Sequence, residues 1–286
     1  MATRTQRFES RQSMKRKNFE VFHYRDPKPE YVGVHHHDFY EIYFFLSGHV
    51  DFRVEGKTYH MTPGDILLIS PQELHQPEFG PDDVYERIVL WIDRNYMSTL
   101  RGWDAELTAC FDGTSDDYVN LLRPSRIRQA EMSRLLEKLV EEFYSHETCS
   151  TAYAQGLLLQ FLVELNRLMV VSSRQEKKQE ESDLIPRVLS YIGSHFQENI
   201  TLESLAKEFY VSKYYLSHEF SSRVGTSIYR YVIFRRLMLA RELISEGHAP
   251  GEVYQQCGFG DYANFYRAFK AEYGVSPRVF AAENAE

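Results

Sequence analysis

The last hundred residues of the chain match themselves at an offset of 49. Leu216 pairs with Phe265, Phe220 with Phe269, Gly225 with Gly274 and Ser227 with Ser276. Ser212 pairs with Asp261, and both are residue types that cap a helix by accepting from its first orphan N–H groups. Each unit therefore predicts a short helix, a turn, a capped second helix with apolar residues four apart, and a glycine stop. That layout is a helix-turn-helix, whose second helix enters the DNA major groove by its N-terminal half.

If Leu216 and Phe220 face the core, Tyr214, Ser217 and His218 lie on the outer face of the first such helix, and Ala263, Tyr266 and Arg267 on that of the second. Arginine reads guanine with two hydrogen bonds, while serine and histidine donate or accept at base edges. Lys213, Arg223, Arg230, Arg235, Arg236 and Lys270 are the candidate phosphate contacts, which set register and affinity rather than sequence. The competing reading is a helical protein–protein module with solvated charges.

Helical patterns cover Leu184 to Phe196, Thr201 to Phe209, Ser212 to Val224, Ser227 to Ile244, Gly251 to Cys257 and Asp261 to Tyr273. Before them, Ser172 to Asp183 has no apolar residue and reads as a charged linker. The formal charge of −8 looks unfavourable for DNA, but residues 1–183 hold 22 Lys+Arg against 30 Asp+Glu, and residues 184–286 hold 11 of each. All the excess acid lies in the first part. A neutral DNA-binding domain predicts a weak grip by one subunit and a need for two.

From Val21 to about Asp93 the hydrophobic period is two, as in short antiparallel strands of a sandwich or barrel. Glu55, Gly56 and Lys57 predict one hairpin turn, and Pro63, Gly64 and Asp65 another. In the stretch HHHDFYEIYFFLSG, alternation puts His35, His37, Phe39 and Glu41 on one face and His36 and Asp38 on the other. His75, after PGDILLISPQE, completes a set of three imidazoles and a carboxylate of the kind that holds Fe, Mn, Ni or Zn. Three readings stay open: a divalent transition metal, a polar effector pocket without one, or barrel residues satisfied by local hydrogen bonds. Tyr40, Tyr43, Phe45 and Trp91 offer faces on which a sugar ring would stack.

Two amphipathic helices follow, one from Arg126 with Ile127, Met132, Leu135, Leu136, Leu139, Val140 and Phe143 as its stripe, and one from Ala152 to Val171. They either close the open end of the barrel or pair with a second chain. The three cysteines, Cys110, Cys149 and Cys257, suit neither a disulfide framework nor a metal clip, which points to a reducing cytoplasm. No window of 18 apolar residues predicts a membrane span, and residues 1–20 read as a basic flexible tail.

The run from Leu202 to Phe280, including LAKEFYVSKYYLSHEFSSRVGTSIYRYV and GFGDYANFYRAFKAEYGVSPRVF, resembles the DNA-binding domain of AraC/XylS-type transcription regulators. The HxH, Glu41 and Gly48 spacing, with PGD and His75, resembles the two motifs of cupin barrels. Tyr254 stands where the family usually has a small alanine and Gly260 where serine is common, a bulk that would tilt the second unit.

The resemblance implies an α+β multidomain chain: a cupin-like antiparallel β-barrel at 21–120, a helical pair at 126–171, a linker at 172–183 and an all-α tandem helix-turn-helix domain at 184–286. It further implies a homodimer that binds promoter DNA, answers a small effector such as a sugar, and meets RNA polymerase if it activates. The effector pocket is expected at His35, His37, Glu41, Tyr43, His75 and Trp91; no cofactor is required, and a divalent transition metal at His35, His37, Glu41 and His75 is an option rather than a need. The rival is a metal-dependent cupin enzyme with an accessory DNA- or partner-binding domain. It is the weaker reading, since no general base or nucleophile stands out beyond the metal-ligand candidates.

Overall fold

The computed structural model describes residues 13–27, 31–71, 73–80, 84–112, 118–176 and 183–283, with backbone only over 170–176. The chain divides into two compact units, Met1–Glu181 and Ser182–Glu286.

The first unit holds strands β1 (Phe19–Asp26), β2 (Phe39–Ser47), β3 (Val50–Val54), β4 (Lys57–His60), β5 (Ile66–Ile69), β6 (His75–Phe79), β7 (Tyr85–Asp93) and β8 (Leu121–Leu122). They form two antiparallel sheets, ordered β1-β7-β2-β5-β8 and β4-β3-β6. Alternation decides which face each residue serves. In β2, Phe39, Tyr43 and Phe45 turn inward to meet Phe52, Val54 and Tyr59 of the other sheet, while Ile42 and Phe44 turn outward.

The outward face of the larger sheet is covered by α1 (Arg94–Trp103), a 3-10 helix (Ala105–Phe111), α2 (Arg126–Phe143) and α3 (Ser150–Glu176). The helical pair, read as closing the barrel's open end or pairing with a second chain, lies over this sheet, because Met132, Leu136, Leu139, Leu158, Phe161 and Leu162 share one core with Ile42, Ile66 and Leu90. Ile127 is no part of that stripe and stands 75% exposed.

Four further expectations are corrected. Phe19 and Glu20, placed in the tail, pair with Ile92 and Trp91 in β1, and β8 carries the sheet past residue 120 onto β5. The second helix runs to Glu176, into the segment read as linker. Pro63, Gly64 and Asp65 make no hairpin: the chain crosses there from one sheet to the other, with Asp65 accepting from the N–H and hydroxyl of Thr62. The Glu55–Gly56 turn does form a two-residue hairpin, with both residues at positive φ as a type I′ turn requires. Residues 1–12 of the expected tail and 177–182 of the expected linker lie outside the described residues.

The second unit is all helical: α4 (Leu184–His195), α5 (Leu202–Glu208), α6 (Lys213–Val224), α7 (Ile228–Ser245), α8 (Pro250–Gln256), α9 (Tyr262–Tyr273) and α10 (Pro277–Glu283). Leu237, Ala240 and Ile244 of α7 pack with Val253, Phe265 and Phe269. Nearer its start, Tyr231 of α7 meets Phe220 edge-on at 5.7 Å. One long helix thus serves both repeats.

Candidate nucleic-acid interface and sensor site

The two repeats are built alike to the level of single hydrogen bonds. Ser212 Oγ accepts from the Tyr215 N–H at 3.1 Å and Asp261 Oδ1 from the Asn264 N–H at 2.7 Å. Both helices stop on a left-handed glycine, Gly225 at φ 79 and Gly274 at φ 75. Leu216, Phe220, Phe265 and Phe269 are all fully buried. The opposite faces of α6 and α9 are therefore turned to solvent.

On α6 that face carries Tyr214, 82% exposed, stacked on His218 at 6.2 Å, with Ser217 half-buried beside them. On α9 it carries Ala263, Tyr266 and Arg267, all exposed. Arg267 Nη2 donates to Asn264 Oδ1 at 2.5 Å and its Nε to the Ala263 carbonyl at 3.4 Å, which narrows the rotamers it must lose on binding. Asn264, exposed at the same helix start, was missed from the sequence, although the repeat pairs it with Tyr215.

The cations divide in a way the sequence did not show. Arg230 and Lys270 are exposed, and Lys213 stands 3.8 Å from Glu203. Arg235 lies with its guanidinium 5.9 Å from the Phe196 ring. Arg223 instead forks onto Asp183 at 2.5 and 2.7 Å, which holds its pKa above the usual value. Arg236 donates to the carbonyls of Phe196 at 2.6 Å and Glu198 at 2.7 Å, and its partial burial lowers its pKa. These two guanidiniums brace α4 and the loop after it, ties that the sequence did not show. Tyr254 is accommodated at the edge of the second core, edge-on to Tyr262 at 5.7 Å.

In the first unit the sequence-predicted cluster does converge. His37 Nε2 lies 2.9 Å from Glu41 Oε2, and His75 Nε2 lies 3.5 Å from the same oxygen. The His35 ring packs 4.2 Å from that of His75, and the two residues exchange backbone hydrogen bonds at 3.1 and 2.9 Å. Trp91 Nε1 donates to Glu41 Oε1 at 2.5 Å and orients the carboxylate. Burial pushes the pKa of His35 down and that of His75 well down, so both rings are neutral. Desolvation raises the carboxyl of Glu73, two residues from His75, to about 7.

The aromatic residues are less available than the sequence suggested. Tyr40 faces the helices, 4.7 Å from Phe111, and is corrected from the pocket. Tyr43 packs on Phe52 at 4.8 Å and Trp91 on Phe39 at 4.6 Å, with Tyr43 only 8% and Trp91 3% exposed. His36 is half-buried, and Asp38, off the cluster, meets Arg94 at 3.2 Å.

A buried polar cluster at one end of a two-sheet domain, joined to two capped helix-turn-helix units, defines a protein that binds a ligand and DNA. A family model described as an AraC-like ligand binding domain matches residues 16–162, and one described as a helix-turn-helix domain matches 205–283. The chain belongs to the AraC/XylS-type transcription regulators. It is 26% identical over 245 residues to an HTH-type transcriptional activator RhaS of Escherichia coli O139:H28, with 85% of each chain covered. A RhaS of Salmonella schwarzengrund is 28% identical over 247 residues with the same coverage. Among solved structures, ToxT from Vibrio cholerae covers 93% of this chain and 98% of its own, at 16% identity and a TM-score of 0.36. The C-terminal domain of AraT, a response regulator from Geobacillus stearothermophilus, is 30% identical over 37% of this chain and 88% of its own, with a TM-score of 0.35. No helix among the described residues is long and apolar enough to cross a membrane.

Proposed function

We propose that the chain is a ligand-responsive transcription activator that reads promoter DNA with α6 and α9. Tyr214, Ser217, His218, Ala263, Tyr266 and Arg267 contact bases, while Lys213, Arg230, Arg235 and Lys270 contact phosphates. The observation that carries this reading is the pair of identically capped helices, each turning its polar face to solvent over a buried apolar one. Activation is the activity of the relatives, which are HTH-type transcriptional activators, and makes RNA polymerase the partner at the promoter. The cytoplasm is its place of work.

The effector enters at the polar end of the sheet sandwich, where His35, His37, Glu41 and His75 supply its hydrogen bonds and Tyr43 and Trp91 its apolar floor. A sugar or similar small metabolite is the effector class the family resemblance suggests. DNA binding itself needs no cofactor, and a divalent transition metal enters the account only at the His/Glu cluster. The outer sides of α2 and α3 form a groove with Ile127, Tyr153 and Leu157, rimmed by Arg134, Lys138 and Glu131. A second copy of the chain is its occupant, since a rim with both charge signs complements itself across a two-fold axis.

Two measurements test the reading. Transcription reconstituted from the protein's own promoter is expected to rise when the chain is added, and a thermal-shift screen over sugars and metabolites is expected to find a stabilising effector. Transcription that falls on addition of the chain would reverse the assignment as activator. A screen in which every metabolite leaves the midpoint unchanged would remove the effector reading.

A further inference from the structure

The two reading helices are capped alike, yet on α9 a chain of hydrogen bonds runs from the cap to the outer face. Asp261 caps the helix with Oδ1, and its second oxygen, Oδ2, accepts from the side-chain amide of Asn264. A carboxylate only accepts and a guanidinium only donates, so Nδ2 of Asn264 faces Asp261 and Oδ1 faces Arg267. That oxygen accepts from Arg267 Nη2 at 2.5 Å, three residues on and so on the same side of the helix. Arg267 Nε adds a longer bond, 3.4 Å, to the Ala263 carbonyl. Nε and Nη2 form one edge of the planar guanidinium. With that edge turned back onto the helix, the other fork, Nη1 and the second hydrogen of Nη2, is left to solvent on an exposed side chain. On α6 the offset of 49 puts Tyr215 in the place of Asn264 and His218 in that of Arg267, and His218 stacks on Tyr214 instead.

We propose that Asn264 is a positioning residue for DNA reading: tied to Asp261, it holds Arg267 so that the fork of Nη1 and Nη2 meets O6 and N7 of a guanine. This rests on the reading of Arg267 as a base contact, and it names both the base and the group that aims the side chain. An arginine on an exposed helix loses rotamer freedom when a base fixes it, and one already narrowed by two hydrogen bonds has less to lose. Guanine offers two acceptors side by side in the major groove, which two parallel N–H groups match. Adenine offers one acceptor beside a donor, which a donor-only guanidinium cannot satisfy. The chain of bonds lies at the surface and adds little to the stability of the fold. The cap itself uses the backbone N–H of Asn264, which survives truncation of the side chain.

The test uses the full chain. Duplexes selected from a randomised pool give its preferred site, and anisotropy on that site and its single-base variants gives the preference at each position. Arg267→Ala is expected to lose the preference for a G·C pair at one position. Asn264→Ala should weaken binding to the preferred site by about two- to tenfold, with the loss confined to that same position and the unfolding midpoint unchanged. In the Arg267→Ala background, Asn264→Ala should cost nothing further. An equal loss in both backgrounds would show Asn264 touching DNA on its own and overturn the proposal, as would an Asn264→Ala variant that keeps the full preference. A position lost in Arg267→Ala that prefers a pair other than G·C overturns the assignment of the fork to guanine. If Arg267→Ala changes no preference, the reading of Arg267 as a base contact falls, and the proposal with it.

Discussion

At the scale of single residues, side chains proposed to read sequence and those proposed to grip phosphate differ in what their loss should do. Arg267→Ala is expected to cost about 1–3 kcal/mol on the preferred site and to relax base choice in one half of it. Lys213→Ala should weaken all sequences alike and lower the salt slope by about 1. Anisotropy titrations at several salt concentrations, on preferred and scrambled duplexes, distinguish the two. Equal loss of specificity in both variants would mean the helices are oriented otherwise. The thiols make a second residue-scale prediction. Burial pushes Cys110 and Cys257 up to about 12, while Cys149 is exposed. A thiol reagent at neutral pH should label one cysteine in the folded chain and all three only after unfolding. The outward placement of the proposed reading residues was legible in the sequence because the repeat fixed which positions were buried. The roles of Arg223 and Arg236 were not, because their partners, Asp183 and the carbonyls of Phe196 and Glu198, lie some 40 residues away in the chain.

At the scale of elements, the turn of the second repeat depends on a backbone that only glycine tolerates. Gly258 has φ 84, and a Cβ there would meet the Gln197 carbonyl oxygen at 2.3 Å. Gly260 has nothing within 4 Å. Gly258→Ala should therefore destabilise the second unit by more than about 1 kcal/mol, and Gly260→Ala by less than about 0.5 kcal/mol, in urea unfolding. Similar losses at the two positions would contradict this account of the turn. The same scale shows why some elements were missed. α10 begins one residue after Ser276, which the repeat pairs with Ser227 before α7, so its start was signalled and overlooked. The α1 helix and β8 gave no such signal: one is capped by Asp93 directly after a strand, and the other is only two residues long. The Pro63–Gly64–Asp65 corner was mistaken for a hairpin because turn residues do not reveal whether the next strand pairs with the last one or crosses to the other sheet.

At the scale of the whole molecule, the neutral charge of the DNA-binding unit predicts that occupancy depends on two subunits binding together. Ile127→Glu, on the proposed interface and off the core, should convert dimer to monomer in sedimentation while leaving the unfolding midpoint nearly unchanged. A wild-type chain that sediments as a monomer at all concentrations would remove the α2–α3 groove as an interface. The central claim is that both α6 and α9 read DNA. Footprinting of the full chain on the region upstream of its own gene tests this most directly. The account predicts two protected major-groove segments about one helical turn apart on one face of the duplex, with protection of one segment lost in Arg267→Ala. A single protected segment that persists unchanged in that variant, or no protection at any protein concentration, would contradict it.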